Sequence, residues 1–100
     1  MIKHIVMWKL KDFADGRTKE ENIDLLIEKY EELKKEIPQI ADAKIMKNIT
    51  DKEGMFDTVL FTSFDNKEQM EEYLNHPSHK EYAKFCKELR EDRASVDFEV

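Results

Sequence analysis

The residues able to move a proton are few, and several lie close together. The chain holds three histidines, His4, His76 and His79, three tyrosines and one cysteine. Tyr73-Leu74-Asn75-His76-Pro77-Ser78-His79 packs a phenol and two imidazoles into one short segment. A neutral imidazole takes up a proton near neutral pH, and a phenol can hold a carbonyl oxygen. Together they are the means of acid–base chemistry on a carbonyl compound. Ser78-His79-Lys80-Glu81 has the pattern of a capping box, which places His79 in the first turn of a helix opened by Ser78. The positive end of that helix disfavours an imidazolium, so the His79 pKa is expected below its usual value. Pro77 breaks the helix between Tyr73 and His79, so both side chains can aim inward. The pair is expected within direct or one-water hydrogen-bond reach, facing an apolar pocket that includes Trp8.

The remaining chemical groups have simpler readings. His4 lies on an apolar strand face, where a histidine is more often a core residue bonded to one polar partner. It can still share the Tyr73–His79 pocket. Tyr73 itself has the spacing of a core residue, and a buried phenol needs a partner. His76 precedes proline and is expected to shape the turn. Cys86 falls at a core spacing and reads as buried thiol, not nucleophile. Glu20-Glu21 and Glu31-Glu32 read as solvated helix surface. Three histidines without a cluster at ligand spacing argue against zinc. Gly16 and Gly54 stand alone, so no phosphate loop is expected.

Nine residues at the start set the frame for these groups. Ile2, His4, Val6, Trp8 and Leu10 alternate with Lys3, Ile5, Met7 and Lys9, which is the period of a strand. Asp12–Gly16 reads as a loop. Thr18-Lys19-Glu20-Glu21 opens a helix, and Ile23, Leu26, Ile27, Tyr30, Leu33 and Ile37 recur at helical spacing until Pro38 stops it. Residues 40–49 make a weaker strand, 51–54 a turn, and 56–64 a strand apolar on both faces. Asn66 starts a second helix, broken near Pro77 and continued by Tyr82, Phe85, Cys86 and Leu89. Ala94, Val96, Phe98 and Val100 share one face of a last strand over 93–100. The order β-α-β-β-α-β predicts an α+β, ferredoxin-like fold with a four-stranded antiparallel sheet over residues 1–100 as one domain. Its helices cover one sheet face. Ile5, Met7, Val59 and Phe61 make the other face apolar too, which predicts a homodimer joined through it.

Composition sets outer limits. There are 17 Lys and Arg against 23 Asp and Glu, a formal charge of −6, and 40% of residues are hydrophobic. The chain is too apolar for disorder and too acidic for a default nucleic-acid partner. Its longest apolar run, Ile5–Trp8, is far short of the roughly 20 residues of a membrane helix. No signal peptide is visible, and the lone cysteine fits a reducing cytoplasm.

Three stretches resemble the stress-responsive α/β-barrel (Dabb) domain family. Ile2-Lys3-His4-Ile5-Val6-Met7-Trp8-Lys9-Leu10-Lys11-Asp12 is similar to its first strand, and Phe56-Asp57 to Phe64 to its third. The segment from Tyr73 to His79 resembles its Tyr-x-x-His-Pro-x-His signature. Val96-Asp97-Phe98 resembles its Val-x-Asp-[Phe/Tyr] last strand, with the spacing one shorter. The resemblance implies a dimeric α+β barrel. It does not imply one activity, since members include plant stress proteins and a plant polyketide cyclase that closes a linear polyketide by an aldol reaction. By resemblance the cyclase's base falls on His79, its orienting phenol on Tyr73, and a first-strand histidine on His4. Thr58 stands where the cyclase has a further histidine. Some plant relatives hold a magnesium ion on backbone carbonyls, and the matching stretch here is Lys34–Ile40.

The expected function is therefore a homodimer that binds a small apolar molecule near His79, with cyclase-like, cofactor-free aldol activity. The competing reading is a non-enzymatic stress or accessory protein with a filled interior. A third, a cofactor-free monooxygenase of related fold, finds no oxygen or quinol site in the sequence.

Overall fold

The computed structural model describes residues 1–100. In chain order, strand β1 (Ile2–Leu10) leads into a small hairpin, β2 (Phe13–Ala14) and β3 (Arg17–Thr18). Helix α1 (Lys19–Glu36) follows, then β4 (Asp42–Lys47) and β5 (Thr58–Phe64). Two shorter helices, α2 (Lys67–Asn75) and α3 (Pro77–Leu89), precede β6 (Arg90–Glu99). The main sheet has the order β4-β5-β1-β6, every pairing antiparallel. This is the ferredoxin-like α+β architecture.

Where the sequence predicts a loop over 12–16, the chain forms the β2–β3 hairpin. Asp15 and Gly16 both adopt positive φ, 51° and 75°, the backbone that a two-residue hairpin turn demands. The first helix starts as its residues dictate: the Thr18 hydroxyl accepts the Glu21 N–H, and the Glu21 carboxylate accepts the Thr18 N–H. The third helix starts two residues earlier than expected. His76, not Ser78, is its N-cap: the imidazole Nδ1 accepts the Ser78 N–H at 3.1 Å, with Pro77 at the first helical positions. His76 also ends α2, its own N–H bonding the Tyr73 carbonyl. One residue thus makes the corner that the His-Pro pair predicts.

The core lies between the helices and one sheet face. Val6, Trp8, Leu10, Leu60 and Phe64 from the sheet meet Leu26, Tyr30, Tyr73, Tyr82 and Leu89 from the helices. Lys3, Ile5, Met7 and Lys9 point the other way. Register carries that open face across the sheet, pairing Ile5 with Phe61 and Val96, Met7 with Val59 and Ala94, and Lys3 with Phe98. Met7, Met46, Phe61, Val96 and Phe98 are all exposed on it. On β6 the helix-facing positions are instead Arg93, Ser95 and Asp97, opposite Trp8, Val6 and His4.

Candidate functional site

A cleft of about 440 Å³ opens between α3 and the β1–β6 side of the sheet. His4, Tyr73 and His79, the three residues singled out in the sequence, all line it. Val6, Trp8, Leu60 and Tyr82 form its apolar walls. Its size lies in the range of small-molecule sites, roughly 300–1,000 Å³.

His79 stands in the first turn of α3, with its ring 4.3 Å from that of Tyr73 and tilted by 50°. Burial pushes its pKa down to about 4. The Leu74 backbone offsets part of this, while the charges of His4, Arg93 and His76 add to it. Desolvation, more than the helix end, keeps the ring neutral. Its Nδ1 is buried without a hydrogen-bond partner. An imidazole held neutral in the wall of a cleft is in the protonation state that accepting a proton requires.

Tyr73 and His79 meet ring on ring, with no direct hydrogen bond between them. The Tyr73 hydroxyl bonds that of Tyr30 at 3.0 Å in the core. Burial raises the pKa of both, so both stay phenols. Two hydroxyls share one O–H···O bond, so one proton of the pair remains to be donated elsewhere.

His4 is buried under α2 and meets Tyr73 edge to face at 6.2 Å between centroids. Its Nδ1 is hydrogen-bonded to the Asp97 carboxylate on β6. That bond fixes the orientation of the His4 ring. A carboxylate that orients an imidazole is the second half of many acid–base sites. The sequence calls for one polar partner at His4 without marking it as Asp97. His4 and Asp97 are 93 residues apart, and only the β1–β6 register joins them. Cys86 lines the cleft as well, but burial pushes its thiol up to about 12, so it is no nucleophile at neutral pH.

Metal ligands are sparse. No three His, Cys, Asp or Glu side chains come together as a metal cluster would require. Within Lys34–Ile40, at the end of α1, the Gln39 Oε1 is buried without a partner and its Nε2 donates to Glu72 at 3.0 Å. The Ile37 carbonyl there accepts the Ile40 N–H at 3.2 Å. These amide and carbonyl oxygens are of the type magnesium takes, and an ion held by them would tie the helix end to α2. It would supply no chemistry to the cleft, which α3 and β1 line.

The model of the stress-responsive A/B barrel domain, Dabb, matches residues 2–100. The chain belongs to that family. Solved structures agree on the Dabb fold. A protein of Arabidopsis thaliana superposes with a TM-score of 0.83 at 22% identity, covering 100% of this chain and 95% of that one. A dimeric protein of Bacteroides fragilis, of unknown function and ferredoxin-like fold, gives 0.75 at 29% identity, covering 99% and 95%. The hydroxynitrile lyase of Passiflora edulis gives 0.83 at 18% identity, covering 99% and 92%. No curated protein sequence matches this one. The Dabb signature coincides with the cleft: Tyr73, His76 and His79 wall and shape it, and Asp97 of the last-strand motif holds His4.

Proposed function

We propose that this Dabb protein is a homodimer that binds a small carbonyl compound in the cleft and moves a proton there without a cofactor. The observation that carries this reading is the convergence of a neutral His79, the Asp97-bound His4 and Tyr73 on one apolar cleft. In an intramolecular aldol closure, His79 takes a proton from carbon next to a carbonyl. The enolate attacks a second carbonyl of the same molecule and a C–C bond forms. The resulting alkoxide takes the proton back from the imidazolium. Atoms and charge balance with no redox partner. Tyr73, whose hydroxyl is held by Tyr30 in the core, offers the cleft its ring and packs it against that of His79. That one fold neighbour is a hydroxynitrile lyase means the fold houses at least one enzyme.

The dimer half of the proposal rests on the open sheet face. Phe61 is 47% exposed and Val96 55%, at the centre of a layer with Ile5, Met7, Met46 and Phe98. A monomer that wets such a patch forgoes roughly 25 cal/mol for every Å² left unburied. The described dimers among its fold neighbours support the same assembly.

The test is ring closure of heptane-2,6-dione to 3-hydroxy-3-methylcyclohexanone, followed by loss of the dione in proton NMR. Acceleration by the wild type that His79→Ala lowers by ~10²–10⁴ supports the proposal. An unaccelerated reaction, or one indifferent to His79→Ala, leaves the protein a binding or scaffold domain.

A further inference from the structure

The cleft has a charge that the rest of the molecule does not share. The chain as a whole carries a formal charge of −6. Yet Lys84, Lys87, Arg90 and Arg93 line the cleft, and no Asp or Glu does. The neighbouring groove between α1 and α3 mixes Lys29 with Glu32, Glu36 and Glu81. Lys84, Lys87 and Arg90 recur every three residues and so run down one edge of α3. Arg93 comes from β6, on the helix-facing side of the sheet opposite Trp8. Two separate elements therefore deliver cations to one opening. None of the four forms an ion pair with a carboxylate of the chain. Arg93 makes one long contact, Nη1 to the Ser95 hydroxyl at 3.3 Å.

A helix-end role accounts for only part of this. Lys87, in the last turn of α3, and Arg90, at its C-cap, both complement the negative end of the helix. Arg93 is on a strand and Lys84 is further back in the helix. Arg93 also acts on the site itself: its charge lowers the pKa of His79, Tyr73 and Cys86. The one carboxylate nearby on the same strand face, Asp97, is taken up by His4.

We propose that the cleft selects an organic acid: an apolar body lies on Val6, Trp8 and Leu60, and a carboxylate is held at the rim by Arg90 and Arg93. The proposal rests on the cleft being the ligand site and adds the substrate class. A guanidinium pairs a carboxylate through two parallel N–H···O bonds, which a lysine cannot copy, so the two arginines carry the specificity. Lys84 and Lys87 add long-range attraction that draws an anion to an otherwise acidic molecule. This division fits the site: the anchor is at the mouth, and the carbonyl of the same molecule reaches His79 inside.

Paired probes separate the two claims. 4-Oxo-4-phenylbutanoate and its methyl ester share a body and differ in the charge. Binding to the full-length protein is read from the Trp8 indole resonance, which reports the cleft wall. The acid is expected to bind at least tenfold tighter than the ester in low salt. Arg90→Gln/Arg93→Gln is expected to erase that preference, read as the ratio of acid to ester affinity. About 1 M salt, which cuts the screening length to ~3 Å, should shrink it as well. Equal binding of acid and ester overturns the anion proposal and leaves the cleft reading intact. A preference for the acid that survives the double substitution also overturns it, because the charge then lies elsewhere. If neither probe shifts Trp8, the cleft reading falls and the anion proposal with it. Lys67→Gln, at the start of α2 and outside the cleft, controls for net charge and should change nothing.

Discussion

His79 is neutral because it is buried, and that has a measurable consequence. In the unfolded chain it titrates near 6.5, and in the folded chain burial holds it at about 4. Between those values the unfolded state binds a proton that the folded state does not. Stability is therefore undiminished by this group above pH 6.5 and falls as the pH drops through 6.5 towards 4. His79→Gln, which cannot titrate, should flatten that part of the urea-midpoint profile; an unchanged profile would show that His79 is not held neutral by the fold. The second residue-scale prediction concerns the phenol pair. Tyr30→Phe leaves the buried Tyr73 hydroxyl without its partner and should cost about 1–3 kcal/mol in urea unfolding. A loss below that range would mean water or Thr62, whose Oγ1 is buried and unpartnered, takes over the bond.

At the scale of elements, the corner between α2 and α3 positions the site. His76 caps both helices, and Pro77 prevents them from fusing, so Tyr73 and His79 stack instead of diverging along one helix. His76→Ala removes the acceptor for the Ser78 N–H. It should cost about 0.5–2 kcal/mol in chemical denaturation and loosen the Tyr73–His79 contact, although His76 is not a cleft wall. Unaltered stability would assign the corner to Pro77 alone. Such local features were legible in the sequence, because capping, proline breaks and period-two alternation are set by near neighbours. Thr18 and Glu21, the strand face from Ile2 to Leu10, and the His-Pro corner all emerged that way. Features that depend on register did not emerge. Which side of the last strand faces the helices follows only from pairing Trp8 with Arg93 and His4 with Asp97. The Tyr30–Tyr73 bond, which turns the phenol away from His79, likewise needs two helices in place. The β2–β3 hairpin reads as a loop in the sequence because its strands, two residues each, are too short to show a period.

On the scale of the whole molecule, one sheet separates two surfaces with different tasks. The helix side encloses the cleft, and the open side offers Ile5, Met7, Val59 and Phe61 for a second copy. A standard interface buries ~1,600 Å² in total, and the dimer should reach that. Met7→Asp or Phe61→Asp should shift the mass seen by light scattering towards the monomer, since each would bury an unpaired charge. Glu28→Lys, on the outer face of α1, should leave it dimeric. Two aspartate variants that both remain dimers with unchanged melting would move the interface elsewhere. Whether the cleft does chemistry is most directly tested by deuterium exchange at the carbon next to the ketone of methyl 4-oxo-4-phenylbutanoate. This probe is uncharged and asks only for a base. Exchange in D₂O, followed by proton NMR, should be faster with the wild type than in buffer, and His79→Ala or His79→Gln of unchanged fold should lower the enzymatic rate by ~10²–10⁴. Exchange no faster than buffer, or equal in the wild type and the His79 variants, would contradict His79 as the base and the cleft as a catalytic site.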